Sequence, residues 1–296
     1  MRLRWIGLLL AIAIAPLCAE TRFCNWPVVD LHVEPREQCE VESQVRYGAP
    51  VDLLEAGTQG WSRIRMADGY EGWVQSASLY KPPEITTLQY FPEARVQNLF
   101  ANVYQVPDTT PYPPLMTLPF DSPLLILAGP ADQNFRWVQV QLLDRSTGWV
   151  HRGDLEMAPR RLTVSEMLQL SRRFEGLPYY WGGTSTFGFD CSGLIQFLYG
   201  LAGVDLPRNA RQQLAMHGMA PISLDALTPG DLVFFGKTSA RIVHVGLYLG
   251  EGRFIHAAAS GGNPIVQVST LTDPKWLQIY PYRQAARSIH QSLIKD

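Results

Sequence analysis

No stretch of this sequence is strongly basic, and neither Lys nor Arg forms a long run. With a formal net charge of −2 over 296 residues, nothing points to nucleic acid or to an anionic membrane surface as a partner. Cysteine is scarce too. There are four, no two of them form a Cys-x-x-Cys pair, and no histidines cluster beside them. That spacing gives no support to a structural zinc site, and neither a metal nor an organic cofactor is expected. The stretch Gly182-Gly183-Thr184-Ser185-Thr186 lacks the Gly-Lys-Ser of a phosphate-binding loop. The apolar run from Trp5 to Leu17 is too short and too one-sided in its flanks for an ordinary membrane span.

That run reads instead as part of a secretory signal peptide over residues 1–19. Arg2 and Arg4 precede it, and Leu17-Cys18-Ala19 offers a small-residue cleavage site. The mature chain is predicted to begin near Glu20, to be exported to the periplasm or the exterior, and to have no stable membrane insertion after cleavage. A lipoprotein acylated at Cys18 is the alternative, although Pro16 and Leu17 stand where small residues are expected. Cleavage leaves Cys24, Cys39 and Cys191. The first two are close in sequence and lie in one module, so they are expected to pair and to leave Cys191 as the free thiol.

From Thr21 to about Lys81 the chain alternates short apolar strands with Gly, Pro and Asp. Val28-Val29, Val45, Val51-Asp52-Leu53-Leu54, Trp61-Ser62-Arg63-Ile64-Arg65 and Gly72-Trp73-Val74 are the strands, a small all-β barrel signature. The pattern then returns. Trp61, Ile64 and Gly72-Trp73-Val74 recur as Trp137, Val140 and Gly148-Trp149-Val150, all offset by 76. Pro50-Val51-Asp52-Leu53-Leu54 recurs as Pro123-Leu124-Leu125-Ile126-Leu127, offset by 73. Two copies make an internal duplication rather than a solenoid. Lys81-Pro82-Pro83-Glu84 is a stiff linker between them. The predicted modules are therefore residues 20–81 and 86–158, followed by a third domain over 160–285 and a polar tail over 286–296.

The third domain opens on a helix capped by Thr163 and Glu166, with Val164, Met167, Leu168, Ser171 and Phe174 on its core face. A short helix over Asn209 to His217 is stopped by Gly218. Between them lies Phe187-Gly188-Phe189-Asp190-Cys191-Ser192-Gly193-Leu194-Ile195. Asp190 is a good N-cap, which puts Cys191 in the first helical turn, where the helix dipole and free N–H groups favour a thiolate. A cysteine on a buried helix is otherwise only a small hydrophobe, so its partners decide the matter. In Arg241-Ile242-Val243-His244-Val245-Gly246-Leu247-Tyr248-Leu249, the residues Val243, Val245, Leu247 and Leu249 alternate with His244, Gly246 and Tyr248. Gly250-Glu251-Gly252 then turns the chain back through His256. A three-residue loop would set His244 and His256 on one face, and a two-residue loop would set them on opposite faces. A cysteine nucleophile needs an imidazole base, and the base needs a third group to fix its tautomer. Cys191, His244 and His256 are the candidate catalytic set. His32, His151, His217 and His290 have no partner at ligand spacing and read as surface or structural.

The order of these motifs resembles the NlpC-type cell-wall cysteine peptidases, a circularly permuted papain-like family. The resemblance rests on Tyr179-Tyr180-Trp181-Gly182-Gly183, Asp190-Cys191-Ser192-Gly193-Leu194, Leu206-Pro207-Arg208 with Gln213, Pro229-Gly230-Asp231-Leu232-Val233-Phe234-Phe235, His244-Val245-Gly246-Leu247-Tyr248-Leu249 and Phe254-Ile255-His256-Ala257. It covers about 160 to 285. One departure is Ala210, where the family often has serine. The Gly-Trp-Val endings of the two β modules look like bacterial SH3-like domains. The resemblance implies an α+β fold, with a papain-like NlpC catalytic domain preceded by two small all-β SH3-like barrels. It implies Cys191 as nucleophile, His244 as base, His256 as third member and Tyr179 near the developing oxyanion. It further implies peptidoglycan stem peptides as substrate and the bond between γ-D-glutamate and the diamino acid as the one cut. An acidic residue and a tyrosine of the first module, by pattern Glu40 and Tyr70, would join Asp190 and Ser192 in binding a free N-terminal L-alanine; Glu42 lies close to Glu40. The first module would thus shape the substrate site, and the second would mainly space or support. Two other readings stand beside this one: a different cysteine amidase or acyltransferase on the same scaffold, and a non-catalytic cell-wall binding protein.

Overall fold

A computed structural model of the chain describes residues 20–57, 59–82, 94–130, 136–259 and 262–288. The signal-peptide segment with Cys18, the linker residues Pro83 and Glu84, and His290 lie outside them. Three β-rich parts follow one another, each with a main apolar cluster; the third has a second, smaller one around Val233, Phe235, Tyr248 and Phe254.

The first part is β1 (Glu20–Cys24), β2 (Val28–His32), β3 (Val41–Arg46), β4 (Pro50–Glu55), β5 (Trp61–Arg65), β6 (Glu71–Gln75) and β7 (Leu79–Tyr80). These form one antiparallel sheet in the order β3-β2-β6-β5-β4-β1-β7. The strands are half-buried, and the alternation shows why: Ser62 and Ile64 point in from β5, Gly72 and Val74 from β6. The core is small, with Cys24, Leu31, Val45, Val51, Ile64 and Val74 at its centre.

The second part is β8 (Ala94–Val96), β9 (Phe100–Val103), β10 (Met116–Pro119), β11 (Pro123–Pro130), β12 (Trp137–Gln141), β13 (Thr147–His151) and β14 (Leu155–Met157). Here β9 and β10 pair apart from a sheet ordered β13-β12-β11-β8-β14. The 76-residue repeat is visible in the register. Ile64 pairs with Gly72 and Arg63 with Trp73; Val140 pairs with Gly148 and Gln139 with Trp149. A 3-10 turn follows in each copy, Ser76–Ser78 and Arg152–Asp154.

The third part holds α1 (Val164–Arg173), β15 (Thr184–Ser185), β16 (Gly188–Phe189), α2 (Cys191–Leu201), α3 (Ala210–Ala215), β17 (Met219–Ile222), β18 (Leu232–Gly236), β19 (Ile242–Gly250), β20 (Arg253–Ala258), β21 (Ile265–Thr270), α4 (Pro274–Ile279) and β22 (Tyr282–Ser288). Its sheet runs β17-β22-β18-β19-β20-β21. α1 carries the expected capping box, Thr163 and Glu166 satisfying one another's backbone. α2 is apolar nearly all round because one face of the sheet and α1 enclose it.

Several expectations are corrected. The chain from 286 onward is not simply a polar tail. β22 reaches Ser288 and pairs with both β17 and β18, with Ala285 and Ala286 buried, because two small side chains fit where the sheet is covered. α3 ends at Ala215, since Met216 is already extended. Cys24 and Cys39 are both free thiols. Cys24 is fully buried in the first core, its Sγ 3.3 Å from the Trp26 carbonyl; Cys39 sits in the β2–β3 loop beside Glu34, Arg36 and His32. The β19–β20 turn has two residues beyond the Gly250–Arg253 pair, which alone would put the histidines on opposite faces. A bulge between Tyr248 and Gly250 adds the missing residue and restores a common face. A second bulge lets Ile242 rather than Val243 enter the core, and leaves Val243 59% exposed.

The three parts are joined by specific contacts. Phe120 of the second part packs edge-on against Phe174 and Phe197 of the third, and its amide donates to Thr186 Oγ1 at 3.1 Å. From the first part, Tyr47 Oη accepts from the Leu143 amide of the second. Gln44 Oε1 accepts from the Thr184 amide, and Asp30 accepts from Tyr180 Oη. The β3 edge is thereby laid against the loop that leads into α2.

Candidate active site

Asp190 caps α2: its Oδ1 accepts from the Gly193 amide at 2.7 Å and its Oδ2 from the Gly182 amide at 3.0 Å. Glycine is needed at 193, because a Cβ there would lie 2.1 Å from the Gly183 carbonyl oxygen. Gly182 needs its freedom for a second reason, a φ of +81°. Arg208, 1% exposed, closes the cap. Its Nη1 donates to Asp190 Oδ1 at 3.0 Å and to Ser192 Oγ at 3.1 Å, its Nη2 donates to Asp190 Oδ2, and its Nε donates to Ser43 Oγ of β3 at 3.0 Å. One buried guanidinium thus ties the start of α2 to the first module.

Cys191 follows the cap and is half-buried, with Sγ 4.0 Å from the Val243 carbonyl oxygen. A thiolate was expected from the helix start. Burial instead pushes the thiol up to about 12, the neighbouring Asp190 carboxylate adds to this, and bonds from the Val245 and Ser192 backbone only partly offset it. Loss of solvent and an adjacent negative charge outweigh the helix end. Both causes favour the neutral thiol, a form that needs a base to take its proton before it can serve as a nucleophile.

His244 and His256 are buried on one sheet face, with His244 Nε2 2.7 Å from His256 Nδ1. That contact leaves Nδ1 as the His244 ring nitrogen not engaged by His256, and His244 lines the same cavity as Cys191. Burial pushes His244 down to about 4, against a weaker upward pull from Asp190, and pushes His256 well below its ordinary range, helped by the charge His244 would carry. Both rings are therefore neutral near pH 7, and a neutral imidazole is the form a general base requires.

Stability should follow the same groups. The unfolded chain takes up a proton near the ordinary value of 6.5, while folded His244 resists until about 4. Its contribution is fully present above about 6.5 and is lost as pH falls towards 4, on the order of 3 kcal/mol at ~1.4 kcal/mol per unit. The urea midpoint is expected to drop across that window, and His244→Gln should remove part of the slope. A midpoint independent of pH between 4 and 6.5 would contradict the burial argument.

The cavity in front of Cys191 has a volume of about 910 Å³. Tyr179, Asp190, Ser192 and His244 line it from the third domain; Glu40, Glu42 and Tyr70 line it from the first module. Among the described residues none of the second module does. His256 lies behind His244. Burial raises the Tyr179 phenol, and nearby Cys191 adds to this, so Tyr179 stays a hydrogen-bond donor. Tyr70 is raised by burial and then by Glu42. Its Oη donates to Gln212 Oε1 at 3.3 Å and accepts from Asn209 Nδ2, which holds it over α3. All eight residues singled out from the sequence are thus brought to one place, His256 as support and the others as walls.

The sequence reading missed α4 and what it carries. Trp276 and Tyr280 lie parallel to the His244 ring, with centroids 5.8 and 5.3 Å away. Trp276 also meets His256 edge-on at 4.5 Å. Asp273-Pro274 was the available signal, an N-cap followed by proline at the first helical position. Nothing local could say which ring that helix would cover. His32 is buried beside Trp61, His151 packs on Trp137 and His217 is exposed, in line with their structural or surface reading.

Residues 176–283 match the NlpC/P60 family, and residues 31–79 match the bacterial dipeptidyl-peptidase Sh3 domain. Dipeptidyl-peptidase 6 of Lysinibacillus sphaericus is 31% identical over 248 residues, covering 80% of this chain and 87% of that protein. The gamma-D-glutamyl-L-lysine dipeptidyl-peptidase of Bacillus cereus is 26% identical, covering 77% of this chain and 68% of that one. Among solved structures, an NlpC/P60 family protein from Bacillus cereus superposes with a TM-score of 0.76 at 21% identity, over 91% of this chain and 99% of the other.

Proposed function

We propose that this chain, which belongs to the NlpC/P60 family of cysteine peptidases, is an exported endopeptidase that cuts peptidoglycan stem peptides at the bond between γ-D-glutamate and the diamino acid. The observation that carries this is the shared cavity: Cys191 and His244 on one wall, Glu40, Glu42 and Tyr70 of the first module on the other. His244 Nδ1 takes the thiol proton as the sulfur attacks the amide carbon. Tyr179 and the Cys191 backbone N–H stabilise the oxyanion, the leaving amine takes the proton from His244, and water then releases the acyl group with His244 again as base. The relatives bearing dipeptidyl-peptidase names support the family's substrate class for this chain. In the second module, the repeated strand register supports a second SH3-like barrel, which spaces and braces the catalytic domain through Phe120.

The two carboxylates at the cavity wall, with Asp190 and Ser192, suit the charged α-amino group of an L-alanine at the start of a loose stem peptide. Charge-assisted bonds to that nitrogen are lost when it is acylated. N-acetylation of a tripeptide substrate is expected to lower kcat/KM about 100-fold, the loss of one or two such bonds. The preference should shrink in Glu40→Gln, in Glu42→Gln or in both. Equal rates on the free and acetylated peptides would reject amine recognition, and an undiminished preference in both variants would place it elsewhere.

A further inference from the structure

Behind the two histidines stands a polar group with no part in the cavity. Ser269 of β21 is 8% exposed, with Oγ 3.0 Å from His256 Nε2. Trp276 Nε1 donates to the same oxygen at 2.8 Å. An indole nitrogen only donates, so one lone pair of Ser269 Oγ is occupied whatever the histidines do.

The rings and the hydroxyl then form a string with two self-consistent directions. In the first, Ser269 donates to His256 Nε2, His256 Nδ1–H donates to His244 Nε2, and His244 presents Nδ1–H to Cys191. That ring cannot accept the thiol proton. In the second, His244 Nε2–H donates to His256 Nδ1, His256 Nε2–H donates to Ser269 Oγ, and a bare Nδ1 faces Cys191. Only the second lets one proton move: the S–H bond breaks, an N–H bond forms at His244 Nδ1, and a thiolate–imidazolium pair results with every other hydrogen in place. His244 as imidazolium must keep Nε2–H on His256 Nδ1, so His256 must carry its hydrogen on Nε2. An acceptor is needed at that end.

We propose that Ser269, held by Trp276, is the positioning residue that supplies this acceptor and so lets both histidines hold the catalytic tautomers. Its oxygen receives two N–H groups, one from His256 and one from Trp276. The parallel rings of Trp276 and Tyr280 keep the His244 plane in line. Among the described residues, the titratable or charged groups near the pair are Asp190, whose charge acts on His244, Cys191 in the same cavity lining with Tyr179 beside it, and Tyr280 after α4. Phe235 of β18 and Phe254 of β20 are the uncharged neighbours. The inference rests on the Cys191–His244 chemistry proposed above and does not depend on which bond is cut.

The test uses the full chain and two variants, Ser269→Ala and Trp276→Phe, with kcat and KM on a stem tripeptide and nitrogen-resolved NMR of the histidine rings without substrate. In the wild type, His256 Nε2 and His244 Nε2 are expected to carry the hydrogens. Ser269→Ala should lower kcat at least about tenfold, short of the ~10⁴-fold that a fully wrong tautomer costs in a Ser-His-Asp triad, with KM unchanged, and should move His256 towards its Nδ1–H form. Trp276→Phe keeps an aromatic ring but not the N–H, and should show a smaller change of the same kind. A wild-type His256 found as the Nδ1–H tautomer would overturn the proposal. So would a kcat loss in Ser269→Ala with the ring nitrogens unchanged, or both variants at wild-type kcat. Wild-type protein that cleaves no stem peptide, yet shows the Nε2–H tautomer and loses it in Ser269→Ala, would overturn the substrate reading and uphold this one.

Discussion

Cys191→Ala is expected to lower kcat by at least about 10⁴-fold, because a triad without its nucleophile retains only binding and oxyanion contacts. The fold should survive. Cys191 is half-buried, and its thiol makes only backbone contacts, a long one to the Val243 carbonyl and bonds from the Val245 and Ser192 backbone, so the urea midpoint should move by no more than about 1 kcal/mol equivalent. His244→Ala should be about as damaging, and the double variant no worse than either alone, since the members act as a unit. His256→Ala should leave more activity, because His256 touches His244 and not the cavity. Turnover near wild type in Cys191→Ala would remove the nucleophile from the account.

The second large effect concerns stability rather than chemistry. Burial alone would push the Arg208 guanidinium down; the Asp190 carboxylate beside it reverses this, and the net direction is up. The pair lies almost wholly out of solvent, with side-chain exposures of 1% and 12%. Arg208→Met leaves Asp190 with backbone amides and one hydroxyl as donors. Breaking one side of such a pair costs about 3–5 kcal/mol, so the denaturant midpoint should fall accordingly. Ser43 would lose its partner too, loosening β3 from the catalytic domain. Arg208→Lys keeps the charge but not the forked geometry, and should fall between. A midpoint for Arg208→Met within ~1 kcal/mol of wild type would show that the cap does not depend on this residue.

Much of the site was legible because its signals are local. Asp190, Cys191 and Gly193 form a helix start whose cap and close approach need those residue types in that order, and the structure builds both. The Gly-Trp-Val repeat was legible because strand register preserves the offset. What failed to show was decided by single-residue irregularities and by distant contacts. The histidines share a face only because a bulge near Leu249 adds a residue to a two-residue turn. Alternation put Val243 inside, and a bulge exchanged it for Ile242. The preference for a thiolate at a helix start was sound as a local rule, but burial and Asp190 overrule it. The proximity of Cys24 and Cys39 in sequence suggested a bridge, yet one thiol belongs to the core and the other to a loop. Ser269 and Trp276 carried no sequence signal, since each is an ordinary residue until the sheet and α4 bring them onto His256.

On the proposed function, the selectivity lies with the first module. It touches the catalytic domain through Asp30, Gln44, Ser43 and Tyr70, and the same β3 edge carries Glu42 to the cavity. A substrate still joined to a bulky glycan at its amino end would have to pass that wall.

The most direct measurement is mass spectrometry of the products formed from a free L-Ala–γ-D-Glu–diamino acid–D-Ala peptide in ¹⁸O-labelled water. The account expects L-Ala–γ-D-Glu carrying one ¹⁸O in the new carboxylate, together with the diamino acid–D-Ala remainder, and no products with Cys191→Ala. Cleavage at another bond, or label-incorporating cleavage that persists in Cys191→Ala, would contradict it.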